Sequence, residues 1–143
     1  MKKAFFVILA AIALVSCEEE ASYGTQMNTY YFDVFPNQWK VNGNFGSPEY
    51  YCFEERRLSA LTPSVIENGA VLVYVIFGNY THQLPYIEPS YDYGYDNGYY
   101  SKIIRYDLQA GRIGFIVEDS DFETPLPPYR EKVTFKVVII SKM

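Results

Sequence analysis

Histidine occurs once in these 143 residues and cysteine twice, and the two scarcities remove several chemistries at the outset. Nucleophilic catalysis by serine or cysteine ordinarily draws on a histidine base. The one histidine, His82, sits in Asn79-Tyr80-Thr81-His82-Gln83, which reads as a loop with a solvent-exposed polar side chain. One imidazole and so few thiols also fall short of a four-ligand structural zinc site. Cys17 and Cys52 alone make no disulfide framework. No glycine-rich phosphate loop follows a strand-like run, and no acidic spacing matches the EF-hand calcium loop. The apolar stretch from Ala4 to Val15 is well short of the ~20 residues a membrane-spanning helix requires. Basic residues number 12 against 17 acidic ones, a balance that repels nucleic acid and anionic lipid head groups.

What is present begins with Met1-Lys2-Lys3, an apolar run and Ser16-Cys17, the parts of a secretory signal. Leu14-Val15-Ser16-Cys17 resembles the lipobox of bacterial lipoproteins, in which the cysteine is acylated and cleavage exposes it as the first residue. Residues 1–16 are therefore expected to be a removed signal peptide, leaving 127 residues, the size of one domain with a modest core. Lys2 and Lys3 depart with it, which moves the net charge from −5 to about −7. Acyl chains on Cys17 then supply the membrane attachment, since two or three buried chains anchor stably where one does not. The expected place is the outer membrane, on its periplasmic or cell-surface side. Residues 17–26, with Glu18-Glu19-Glu20, read as a flexible acidic tether. The three glutamates resemble the acidic motif of surface-exported lipoproteins in Bacteroidota-type bacteria, and a plain solvated charge run accounts for them equally well.

From Met27 to Met143 a single β-rich domain is expected, because aromatic and β-branched residues dominate and apolar positions alternate with period two. Tyr30, Phe32 and Val34 share a face, as do Val133, Phe135, Val137 and Ile139 at the other end of the chain. Tyr50 to Arg57 reads as a strand, and Ala70 to Phe77, apolar on both faces, as a central strand covered on both sides. Ile104 to Leu108 and Ile113 to Val117 flank Gln109-Ala110-Gly111, a hairpin with glycine in its turn. One helix is signalled: Thr62 as cap, Pro63 in the first position, and Gly69 in a left-handed stop. Six or seven strands, Gly/Pro-rich turns and one short helix predict an antiparallel β-sandwich, with an open β-barrel as the alternative.

The run Leu61-Thr62-Pro63-Ser64-Val65-Ile66-Glu67-Asn68-Gly69-Ala70-Val71-Leu72-Val73-Tyr74 resembles a family of small Bacteroidota lipoprotein domains of unknown function. Trp39, Leu84-Pro85-Tyr86, Tyr129-Arg130 and the Val137-Val138-Ile139-Ile140 ending extend the likeness over most of the chain. The resemblance implies a β-sandwich on a lipid anchor and carries over no catalytic residues.

Four groups of residues invite a chemical reading. Glu118, Asp119, Asp121 and Glu123 cluster at a strand end, where paired carboxylates serve acid/base catalysis or oxygen ligands hold calcium. A solvated acidic face is the simpler account. Asp92, Asp96 and Asn97 before Gly98 offer oxygen ligands in the same sense. Cys52, among Tyr50, Tyr51 and Phe53, reads as a buried apolar residue and not a nucleophile. Tyrosine is concentrated at Tyr86, Tyr91, Tyr93, Tyr95, Tyr99, Tyr100 and Tyr106, and Pro85, Pro89, Gly94 and Gly98 among them predict a long loop. Tyrosine offers contact area at low entropic cost. Tyr86 to Tyr100 are thus the candidate ligand-binding residues, for carbohydrate or protein. The competing account is a lid whose rings complete the core. The expectation is a non-catalytic, lipid-anchored binding module with no cofactor or metal. An adhesin-type structural subunit is the runner-up and a hydrolase third.

Overall fold

The computed structural model describes residues 24–91 and 98–143. The lipobox with Cys17, the glutamates of the tether, and Asp92, Tyr93, Tyr95, Asp96 and Asn97 lie outside the described residues. Two antiparallel sheets face each other. The first has the order β1 (Thr25–Val34), β9 (Val133–Lys142), β4 (Ala70–Phe77) and β5 (Tyr80–Gln83). The second has the order β2 (Lys40–Asn42), β3 (Tyr51–Arg57), β8 (Arg112–Asp119), β7 (Tyr99–Gln109) and β6 (Tyr86–Tyr91). The architecture is the expected sandwich, and neither sheet closes into a barrel.

The alternation that signalled strands sorts residues between the faces. Val34, Val73, Val75, Phe135, Val137 and Ile139 of the first sheet meet Cys52, Ile104, Ile113, Phe115 and Val117 of the second, all buried. A side chain of this size contributes roughly 1.5–3 kcal/mol on burial, so this layer dominates the stability of the fold. At one edge Arg56 joins the layers. Its guanidinium donates to the buried Glu54 carboxylate, to Gln38 Oε1 at 2.9 Å and to the Asp33 carbonyl at 3.1 Å.

Nine strands occur among the described residues where six or seven were expected, and the extra ones are short or polar. β2 has three residues, all exposed, and β5 is Tyr-Thr-His-Gln. β6 contains Pro89, which ordinarily argues against a strand. Proline survives there because β6 is an edge, where one row of N–H groups has no ladder to join. β1 begins at Thr25, so Thr25 and Gln26, assigned above to the tether, pair with Lys142 and Ser141.

Two local expectations are corrected. The helix α1 (Pro63–Asn68) is capped as foreseen, Thr62 Oγ1 accepting from Val65 N at 3.2 Å. Gly69, however, is extended, with φ −98° and ψ −166°, not left-handed. Glycine is required for space instead, since a Cβ there would lie 2.7 Å from the carbonyl oxygens of Ile140 and Val65. β4 is interior in its sheet but is not covered on both faces by described residues. Its outward Leu72, Tyr74 and Ile76 are half-buried by lateral neighbours, Leu72 beside Val138 and Tyr74 with the Lys136 ammonium 5.4 Å from its ring.

Candidate functional site

The tyrosine-rich segment is a hairpin and not a long loop, at least in its described part. Tyr86 pairs with Ile104 and Tyr91 with Tyr99 along the β6–β7 ladder. Period-two alternation then separates the rings. Tyr86 turns inward, half-buried, and stacks on His82 with centroids 4.1 Å apart and planes 19° apart. That contact bridges the sheets, and it places His82 in β5, half-buried, correcting the exposed-loop expectation. Tyr100 is also half-buried, and Tyr106 donates its hydroxyl to the Val71 carbonyl at 3.4 Å. Tyr91 and Tyr99 lie on the outer face instead. Tyr99 is 83% exposed, and the two rings sit 4.6 Å apart at 57°. Burial therefore divides the described tyrosines: Tyr86, Tyr100 and Tyr106 are half-buried, and Tyr91 and Tyr99 face solvent.

The outer face that carries the pair continues across the five-stranded sheet. Pro89 and Ser101 are the next pair on that face, and Ile87 and Ile103 the one after, with Ile87 59% exposed. Arg105 follows on β7, its guanidinium 5.4 Å from the Tyr51 ring and bridged to Glu118 at 3.3 Å and Asp107 at 3.2 Å. Beyond it lies an open depression of about 260 Å³ centred on Gly114 of β8. The register puts Glu55 of β3 on one side of that glycine and Asp107 of β7 on the other. Tyr51 and Phe53, packed edge to face at 6.0 Å, and the buried Ile116 form its apolar wall. Asn42, Gln109 and Arg112 complete a polar rim, with Arg112 3.8 Å from Glu55.

Four strands, β2, β3, β7 and β8, thus contribute to the depression. Tyr51, Phe53, Glu55, Asp107 and Arg112 were not among the candidate residues. The signal available was Gly114 inside an otherwise unbroken strand pattern, which marks a bulge or a close approach. Here it marks neither.

The acidic cluster disperses once folded. Glu118 points outward to Arg105, whereas Asp119 is buried against Lys102 at 2.8 Å. Burial raises the Asp119 carboxyl above its ordinary value, and the Lys102 hydrogen bond opposes the rise. Asp121 accepts from the Glu123 backbone N–H in its own turn. No group of three or more His, Cys, Asp or Glu that could hold a metal ion occurs among the described residues. Cys52 is fully buried, its thiol donates to the Pro125 carbonyl at 3.6 Å, and burial pushes its pKa up to about 11. A thiol so placed is almost wholly protonated at neutral pH and a poor nucleophile. Burial likewise holds the Tyr129 phenol far above its usual range.

Comparison with family models, with curated proteins and with solved structures finds no match to this chain.

Proposed function

We propose that this chain is a non-catalytic binding module that engages a carbohydrate or protein ligand with the outer face of its five-stranded sheet, held at the outer membrane by acyl chains on Cys17. The observation that carries the reading is the face itself. Tyr91, Tyr99 and Ile87 are large side chains left in water on a regular strand pair, and the same sheet face carries, beyond the Arg105–Glu118 ion pair, a depression with aromatic walls and a polar rim. Single exposed apolar residues are ordinary, but a contiguous group on one face is the mark of a recognition surface. The tyrosine pair resists the entropy loss of binding because each ring has only two free torsions and already leans on the other. The dispersal of Glu118, Asp119, Asp121 and Glu123 and the burial of the Cys52 thiol take those groups out of consideration as an acid/base pair or a nucleophile. The lipobox and the tether support the anchor, and the likeness to small Bacteroidota lipoprotein domains accords with it.

Screening the chain on a carbohydrate array, beside the double variant Tyr91→Ser/Tyr99→Ser, tests the ligand half of the reading. Binding by the wild type that the variant loses supports it. Mass spectrometry of the N-terminus after expression in a bacterium with lipoprotein processing tests the anchor, with acylated Cys17 as the expected species.

A second reading, an assembly subunit that pairs through a sheet edge, is favoured by β1. It is a ten-residue edge strand whose outward Met27 and Tyr31 are 67% and 63% exposed. Long regular edges are templates for strand addition.

A further inference from the structure

Gly114 occupies the middle of β8, an interior strand of the five-stranded sheet, where glycine is ordinarily a disadvantage. A glycine in a strand interior costs roughly 0.5–1 kcal/mol relative to residues with a side chain. Two reasons usually justify it, and neither applies. Its backbone is not in the left-handed region, and a Cβ built there would find only the Asp107 Cβ at 4.0 Å, an ordinary contact distance. By contrast, Gly43 has φ +74° and its Cβ would strike the Glu49 carbonyl at 2.7 Å, so the fold itself demands that glycine. At Gly114 the fold demands nothing. What the missing side chain does is leave open the floor of the depression between Glu55 and Asp107.

We propose that this depression is a subsite for one neutral sugar ring, a pyranose unit of a saccharide ligand; the proposal rests on the binding-module reading and gives its face a ligand class. Size comes first. At about 260 Å³ the space falls below the roughly 300–1,000 Å³ of drug-sized pockets and suits one compact ring. Glu55 and Asp107 stand on backbones two strand spacings apart, roughly 10 Å, which leaves room for a ring flanked by its hydroxyls. Shape and polarity come next. Tyr51 and Phe53 offer an apolar surface to the C–H face of such a ring. The rim groups Glu55, Asp107, Gln109 and Arg112 are planar and present two coplanar polar atoms each, the arrangement that engages two adjacent hydroxyls at once. Charge decides between neutral and anionic sugars. The lining sets Glu55 and Asp107 against Arg112 alone, and Arg105, the cation nearest Asp107, is shared with Glu118, so the site offers no spare positive charge to a carboxylate or phosphate and its two rim carboxylates repel one.

The test is an amide-resolved NMR titration of the full chain in detergent micelles with glucose, galactose, mannose, N-acetylglucosamine and glucuronate, up to tens of millimolar. A lone ring in a shallow site should bind with a Kd on the order of 1 mM. At least one neutral sugar should give saturable shifts at the amides of Phe53, Gly114 and Ile116, and glucuronate should bind no better. Gly114→Val should keep or raise Tm, because a β-branched residue suits an interior strand, yet weaken the sugar more than tenfold. Should that variant fold poorly, Gln109→Ala, on an exposed residue, should still lower affinity. Saturable shifts confined to Tyr91 and Tyr99 would overturn the subsite while leaving the binding-module reading intact. Silence toward every sugar, or sugar affinity unchanged in Gly114→Val, would overturn it as well.

Discussion

Phe115 of β8 and Phe135 of β9 stack face to face across the sandwich, centroids 4.0 Å apart and planes within 8°. Both are fully buried, and the contact ties the central strand of one sheet to an interior strand of the other. Phe32 and Trp39 extend it, at 5.8 Å from Phe115 and 6.3 Å from Phe135. Truncating either ring removes apolar contact and leaves a cavity that rigid sheets close poorly. Phe135→Ala should therefore lower unfolding free energy by about 3–5 kcal/mol in denaturant titration. A loss under ~1 kcal/mol would mean that the two sheets are not packed through this pair.

Lys102 and Asp119 are a largely buried ion pair, 13% and 4% exposed at the side chain. Lys102→Met should cost about 3–5 kcal/mol at neutral pH, because it strands a carboxylate in the interior. The sign of the pH effect follows from the direction of the Asp119 shift. Its folded-state carboxyl already sits above the ordinary value through burial, so the folded state holds the proton more tightly than the unfolded one. Loss of the lysine raises it further. The penalty in Lys102→Met should shrink as pH falls through the folded-state pKa, where the stranded group becomes neutral. Denaturation midpoints of wild type and variant along a pH series measure this, and a penalty that grows on acidification would refute it.

Cys52 sets an alkaline counterpart. The unfolded thiol ionises near its ordinary value of about 9, whereas the folded one holds its proton to about 11. Its contribution to stability is complete below about 9 and is lost as pH rises toward about 11. Lysines and tyrosines titrate in the same window, so the informative quantity is a difference. The wild type should lose more stability there than Cys52→Ala does. Thiol reagents should label the native protein slowly and the unfolded protein fast.

Tyr91 and Tyr99 are expected to be nearly silent in stability. Their rings touch each other across an edge ladder with one side in water, and cross-strand aromatic pairs of this kind contribute roughly 0.2–1 kcal/mol. Tyr91→Ser/Tyr99→Ser should shift unfolding free energy by no more than about 1 kcal/mol. Tyr86→Ser should cost more, because that ring is half-buried on His82 and bridges the sheets. Equal costs for the two would mean that exposure does not separate recognition from packing in this hairpin.

The strands with strict alternation were legible because only one face of each is buried. Val133, Phe135, Val137 and Ile139 all point inward as their spacing required. β5 and β6 were not legible, because edge strands bury little and tolerate Pro89, His82 and Gln83, residues that elsewhere mark loops. Gly69 follows the helix in an extended conformation where a left-handed stop was expected. A left-handed stop and a backbone too close for a Cβ leave the same letter, and only the approach of Ile140 separates them. The face around Gly114 was hidden for a longer-range reason. It is assembled from β2 and β3 on one side and the β7–β8 hairpin on the other, and register between these sequence-distant pairs is set by packing of the inner face, which one sequence does not display.

Ligand recognition is proposed for the outer face of the five-stranded sheet. The most direct measurement is a carbohydrate array read with three forms of the chain: wild type, Ile87→Ser/Tyr99→Ser on that face, and Met27→Ser/Tyr31→Ser on the outer face of the other sheet. All four side chains concerned are solvent-facing in the fold, so the three proteins should unfold alike. The wild type and the Met27/Tyr31 variant should retain the same glycan, and the Ile87/Tyr99 variant should lose it. Absence of any bound glycan, or binding that survives in the Ile87/Tyr99 variant and fails in the Met27/Tyr31 variant, would contradict the claim.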